Sequence, residues 1–281
     1  QTVADAVTIG VMSQPEDICL LRHDGSGKNA FKNPLSFRYL DDNFIESDAV
    51  KIGKTFMDYL KKTKDPRIHV YCSLKDGNTE FDKQFGLPNG YDSHTIADAP
   101  SGSFVGLENT SNFNINTILR LDAPTIFLMP SETKLLLAEA VLRNWTNGNA
   151  EVLYKEAITS SMKEQEIAYG TQGKITDEEI ETYLAQNLFS TANNTEKLQI
   201  IGEQYWVATF INGYESYANW RRTGYPKLIP TNYSGSMSPG VIPTRLPYPT
   251  DEYSINRANV DTANQQQGAD KVTTHIWWDI D

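Results

Sequence analysis

Between Pro130 and Asn219 the chain repeats one pattern: apolar residues three and four apart, interrupted by turn residues. That spacing lines one face of a helix and leaves the other to water. Pro130-Ser131 opens a predicted helix through Leu135, Leu136, Ala138, Leu142 and Trp145. Asn147-Gly148-Asn149 reads as a tight turn, and a second helix follows from Ala150 to about Ala168, with Val152, Leu153, Ala157, Ile158 and Met162 inward. Thr176-Asp-Glu-Glu179 has the form of a capping box, in which a Thr hydroxyl and a Glu carboxylate satisfy each other's orphan backbone donors. It starts a third helix through Ile180, Tyr183 and Leu184. Thr195 to about Asn219 reads as the fourth and longest, with Leu198, Ile201, Tyr205, Trp206 and Phe210 inward. A chain so patterned is committed to a mainly α fold.

The pair at 131–168 resembles a tetratricopeptide hairpin. Small Ala138 and Ala140 permit close helix approach, Gly148 sits at the turn, and Ala157 lies at the crossing. One such hairpin cannot bury its own face and needs neighbours.

The first half is less regular. Val3, Ala6, Val7 and Val11 stand at helical spacing. Residues 14–48 are rich in turn chemistry, with Leu35, Phe37 and Tyr39 alternating as in a short strand. Asp48 to Lys62 reads as a helix that Asp65-Pro66-Arg67 stops, and Ile68 to Leu74 as a strand carrying His69. Residues 75–125 follow as one long Gly-, Asn-, Asp- and Ser-rich loop, a length that is uncommon and often functional. The expected fold is therefore mainly α: tetratricopeptide-like hairpins, long irregular loops and a few short strands.

The formal net charge is −11. A nucleic-acid reader needs a positive face to neutralise phosphates, so that class is disfavoured. An acidic surface suits neutral ligands such as sugars. No apolar run approaches the ~20 residues of a membrane span. Cys19 and Cys72 carry no metal or redox spacing. One disulfide is open to them, but two buried thiols is the favoured reading.

Catalytic signatures are missing. None of His23, His69, His94 and His275 stands in a nucleophile context, and there is no G-x-S-x-G, H-E-x-x-H, P-loop or dinucleotide fingerprint. A glycosidase pair needs only two carboxylates that meet in space, and the chain points to none. Asp and Asn oxygens in the 75–115 loop could coordinate calcium, although the EF-hand pattern is absent. No cofactor is expected, and no enzymatic activity.

Sugar rings present C–H faces that pack on aromatic rings, while polar side chains take the hydroxyls. Trp206 and Phe210 lie on an apolar helix face and are expected in the core. Trp220, Trp277 and Trp278 stand beside charges and are expected to pack a C-terminal cap onto the helices. Phe81, Phe85, Tyr91, Phe104 and Phe113 lie in the long loop without a periodic face to bury, which makes them the candidate ligand-binding residues. Loop packing is an equally good account of each.

The stretch Y-W-V-A-T-F-I-N-G-Y-E-S-Y-A-N-W-R-R-T-G-Y-P-K-L, then I-P-T-R-L-P-Y-P-T-D-E-Y, is similar to the C-terminal signature of the SusD/RagB family. Asp65-Pro66-Arg67, S-E-T-K-L-L-L-A-E-A at 131–140 and the closing W-W-D add to the likeness. The resemblance implies one SusD-like domain over residues 1–281 that lacks the family's N-terminal helical part. It implies a Bacteroidetes surface lipoprotein for nutrient uptake, bound to the outer membrane through a lipid anchor absent from this chain. Its partners would be a TonB-dependent, SusC-like transporter and an oligosaccharide or polysaccharide, with no nucleic acid. The shared Trp220, Arg221, Arg222, Tyr225 and Pro226 would serve as structure. The alternative is a helical-repeat adaptor that docks a protein or peptide and no glycan.

Overall fold

The helical hairpin of residues 130–169 is the central element of the computed structural model, which describes residues 2–41, 51–91, 95–232 and 235–279. In chain order the first half contributes α1 (Thr2–Ile9), β1 (Cys19–Leu21), α2 (Pro34–Asp41), α3 (Lys54–Thr63), α4 (Ile68–Tyr71), β2 (Cys72–Ser73), β3 (Asn112–Phe113) and β4 (Thr125–Leu128). The second half contributes α5 (Pro130–Leu142), α6 (Ala150–Tyr169), α7 (Asp177–Gln186), α8 (Asn194–Ala208), α9 (Gly213–Thr223), α10 (Thr250–Ile255) and α11 (Arg257–Gln267). Two compact units result: residues 1–88 with 100–227, and residues 89–99 with 228–281.

The first unit holds the main core. Ala138 of α5 and Ala157 of α6 are fully buried, which lets the two backbones approach closely, and Leu135, Ile158 and Met162 fill the seam. Asn149 caps α6 by accepting from the backbone N–H groups of Glu151 and Val152. Thr176 and Glu179 form the expected reciprocal box at the start of α7. Trp206 and Phe210 pack against this core as expected. Phe210 stacks on Phe56 of α3 at 4.3 Å between ring centroids, and Trp206 meets the same ring edge-on at 5.0 Å.

Several expectations need correction. Leu35, Phe37 and Tyr39 lie in α2, not a strand; Pro at the first position presets helical φ, and Asn33 accepts from the N–H groups of Leu35 and Ser36. Ile68 to Tyr71 is one helical turn before the two-residue β2, because the Asp65 carboxylate accepts from Arg67 N–H and turns the backbone. The helix anticipated from Asp48 begins at Lys54, and residues 48–50 lie outside the described residues. The helix anticipated over 195–219 is two: α8 ends at Ala208 and α9 starts after Asn212, whose side chain accepts from Glu215 N–H as an N-cap. Consequently α6, with 20 residues, is longer than α8. Val152, expected inward, is exposed, as are Leu136 and Trp145; Trp145 and Val152 flank the turn that joins α5 to α6. The cysteines are both free; Cys72 is buried, but Cys19 on β1 is exposed.

Two sheets of two strands flank the helices. β1 pairs antiparallel with β4, and β2 with β3 in the register Cys72 to Phe113. In the second unit, Arg245 and Asp270 form a buried ion pair at 2.8 Å. Asp270 also accepts from the Tyr248 N–H and the Tyr253 hydroxyl, so one carboxylate ties the T-R-L-P-Y-P stretch to the segment after α11. Trp277 and Trp278, expected to pack, are exposed.

Candidate functional site

Two buried polar hubs explain why the quoted motifs carry structure. Asp65 and Arg67 are both fully buried. The Arg67 guanidinium donates to Asp65 at 2.9 and 2.5 Å, to the Ser161 hydroxyl on α6 at 2.9 Å and to the Gln204 carbonyl on α8 at 2.7 Å. Gln204 in turn donates to the hydroxyls of Tyr59 and Tyr183. Burial disfavours the Arg67 charge, but the carboxylate beside it outweighs that and keeps it cationic. One motif thus fastens α3, α6, α7 and α8 together. The second hub joins Glu139 of α5 to Arg222 of α9 through two parallel hydrogen bonds of 2.7 Å each. Beyond Arg222 the chain turns at Gly224, in the left-handed region at φ 69°, where its N–H donates to the Trp220 carbonyl and closes the helix.

Beside the first hub the surface opens into a groove of about 660 Å³. The C-terminus of α3 supplies Lys64, the turn after it Pro66, and α4 supplies His69. α7 supplies Glu178 and Gln186, and the long loop supplies Phe81. The wall formed by α4 and α7 rests on hydrogen bonds from Arg67 to Asp65 and to Gln204, and from Gln204 to Tyr183. His69 makes a 3.3 Å contact with the Lys174 carbonyl. Glu179 holds the α7 cap; burial would raise its carboxyl, but the hydrogen bonds from Thr176 prevail and lower it.

Phe81 and Phe85 are brought together by a cation. The Lys61 ammonium lies 4.2 Å from the centroid of Phe85 and 5.9 Å from that of Phe81. Such placement over ring faces is favourable where water is partly excluded. Burial lowers the Lys61 pKa. Phe81 is half-buried against the core and Phe85 is exposed. The other three candidates lie elsewhere. Phe104 is half-buried in its own loop. Tyr91 belongs to the second unit. Phe113 lies on β3, edge-on to Tyr39 at 5.6 Å and to Phe210 at 5.5 Å, where it packs the core. Sequence reading missed Lys64, Glu178 and Gln186 at the groove, because helix-surface charges read as solvated faces.

A second cavity of about 510 Å³ lies by His23, Asp24, Arg120 and Asp122. Its polar groups are already engaged: Asp24 accepts from Ser26, and Asp122 from Arg120. His94 lies outside the described residues. Among the described residues no three His, Cys, Asp or Glu side chains come together to hold a metal ion.

The helical-hairpin scaffold with few short strands is a SusD-like fold. The chain belongs to the SusD/RagB family: the SusD-like family described as "Starch-binding associating with outer membrane" matches residues 1–249. Among solved structures, a chitin-binding protein is 29% identical, with a TM-score of 0.76 over 99% of this chain and 58% of that one. A SusD homolog from Bacteroides fragilis is 25% identical, with a TM-score of 0.71 over 96% of this chain and 58% of its own. A chitin-binding SusD homolog from Flavobacterium johnsoniae, at 23% identity, shares the fold with a TM-score of 0.71 over 98% of this chain and 57% of its own. The chain therefore spans less than two thirds of the length of these structures. No curated protein matches the sequence.

Proposed function

We propose that this chain is part of a cell-surface protein that captures oligosaccharide at the outer membrane and passes it to a TonB-dependent, SusC-like transporter without converting it. The family match over residues 1–249 carries this reading. The similarity to a chitin-binding protein at 29% identity supports a polysaccharide ligand. The groove beside Phe81 supplies what sugar recognition uses: an aromatic face for the ring C–H groups, and Lys64, Glu178 and Gln186 at its rim for hydroxyls. Phe85, held by Lys61, extends the aromatic surface. The net charge of −11 favours a neutral glycan over a sulfated or uronic one. Membrane attachment would come from a lipid anchor; among the described residues no helix is long and apolar enough to cross a membrane.

Affinity electrophoresis in gels containing starch or soluble chitin derivatives, followed by calorimetry with the matching oligosaccharides, tests the reading. Retardation by one polysaccharide is expected, with loss of about tenfold in affinity for the Phe81→Ala, Phe85→Ala double variant, in line with ~0.5–1.5 kcal/mol for each of two aromatic contacts. Absence of retardation by every glycan, together with binding of a peptide, would move the ligand class to peptides.

A further inference from the structure

α5 and α9 each carry two charged residues seven positions apart: Glu132 and Glu139 on the first, Glu215 and Arg222 on the second. Seven residues are close to two helical turns, so each pair shares a face. Glu139 meets Arg222 in a bidentate pair, and Arg143 adds a third hydrogen bond at 2.7 Å. That consumes the cations of this layer. Seven positions earlier on the same two helices stand Glu132 and Glu215, and the Tyr205 hydroxyl of α8 donates to Glu215 at 3.3 Å.

Glu132 is only 5% exposed, and its Oε1 has no hydrogen-bond partner among the described residues. A carboxylate in the first turn of a helix ordinarily accepts from the free N-terminal N–H groups. Here that task is taken by Glu164 of α6, which accepts from the Ser131 N–H and hydroxyl and from the Ser160 hydroxyl. The like charges that act on Glu132 are those of Glu215 on α9 and Glu164 on α6, and Glu132 acts in turn on Tyr205 of α8. Lys134, on α5 itself, pairs with Glu156 of α6 at 3.8 Å instead. Arg222 acts on Tyr205 from α9 but is committed to Glu139. Among the described residues no cation pairs with Glu132.

We propose that Glu132, Tyr205 and Glu215 form a proton-holding rung between α5 and α9, closed while Glu132 is neutral and repulsive once it ionises. The Glu139–Arg222 rung then holds α9 at one end at all neutral pH values, while the other end depends on a proton. Burial, then the charges of Glu215 and Glu164, push the Glu132 carboxyl up to about 8. A carboxyl raised in the folded state binds more protons there than when released. Stability of the rung is therefore full below the ordinary carboxylate range and falls as pH rises toward about 8.

Hydrogen exchange of the α9 amides, corrected for the intrinsic chemical rate, reads the rung directly. Exchange in the wild-type chain is expected to quicken at least about tenfold between about pH 6 and about pH 8, since one such proton changes the opening equilibrium up to tenfold per pH unit. Glu132→Gln, which imitates the protonated acid, should abolish the rise. Glu215→Gln should reduce it by removing the repulsion. The second variant decides the matter should the first fail to fold. A wild-type rise below tenfold, or an undiminished rise in the variants, overturns the proposal.

Discussion

Glu139 and Arg222 lie 83 residues apart in the chain and meet through two hydrogen bonds of 2.7 Å, with the carboxylate only 5% exposed. Arg222→Lys keeps the charge but loses the fork. A destabilisation of about 2 kcal/mol is expected, as for one hydrogen bond to a charged group. Burial alone would raise the Glu139 carboxyl, but the hydrogen bonds from Arg222 and Arg143 outweigh it and lower its pKa. Stability from such a group is present above the unfolded value and lost as pH falls through the folded one. The gap between wild type and Arg222→Lys in denaturant titrations should therefore narrow on going from neutral pH to about pH 3. A constant gap would show that the loss does not come from the ionised Glu139–Arg222 pair.

Removal of Arg67 leaves Asp65 as an unpaired charge in the core, together with an orphaned Gln204 carbonyl and Ser161 hydroxyl. Breaking a buried pair on one side costs about 3–5 kcal/mol. Arg67→Met is expected to lower urea stability by that amount. Asp65→Asn with Arg67→Met should recover part of it, since no bare carboxylate then remains. Equal losses in the single and double variants would refute the hub.

A Cβ at position 202 would stand 2.5 Å from Cβ of Tyr225, closer than two such atoms approach. Gly202 of α8 therefore fits against the turn that follows α9. Gly202→Ala is expected to lower stability by about 1–3 kcal/mol despite Ala's better helix propensity. Unchanged or raised thermal stability would show that the turn yields without cost.

Phe113 and Phe85 should separate stability from binding. Phe113 packs edge-on against two core rings, so Phe113→Ala is expected to cost about 3 kcal/mol. Phe85 is exposed, and Phe85→Ala should move the melting temperature little while weakening glycan retention. The reverse ranking in thermal melts would place Phe85, not Phe113, in the packing.

The hairpin from Pro130 to Tyr169, the cap at Thr176 and the inward ring of Phe210 were legible from residue order alone. Helical periodicity and capping are local: they depend on neighbours three or four positions away, and a linear string contains that information. The same order was enough to name the family. What only the tertiary structure decided is which residues meet across long separations. Arg67 finds Gln204, Glu139 finds Arg222, and Glu132 finds no cation among the described residues, because packing of α5, α8 and α9 sets those distances. The same holds for the break between α8 and α9, where Asn212 can cap a new helix, and for Phe113, which joins a core formed by α2, α3 and α8. The groove beside Phe81 has the same origin: its walls come from α4, α7 and a loop, and no local pattern relates them.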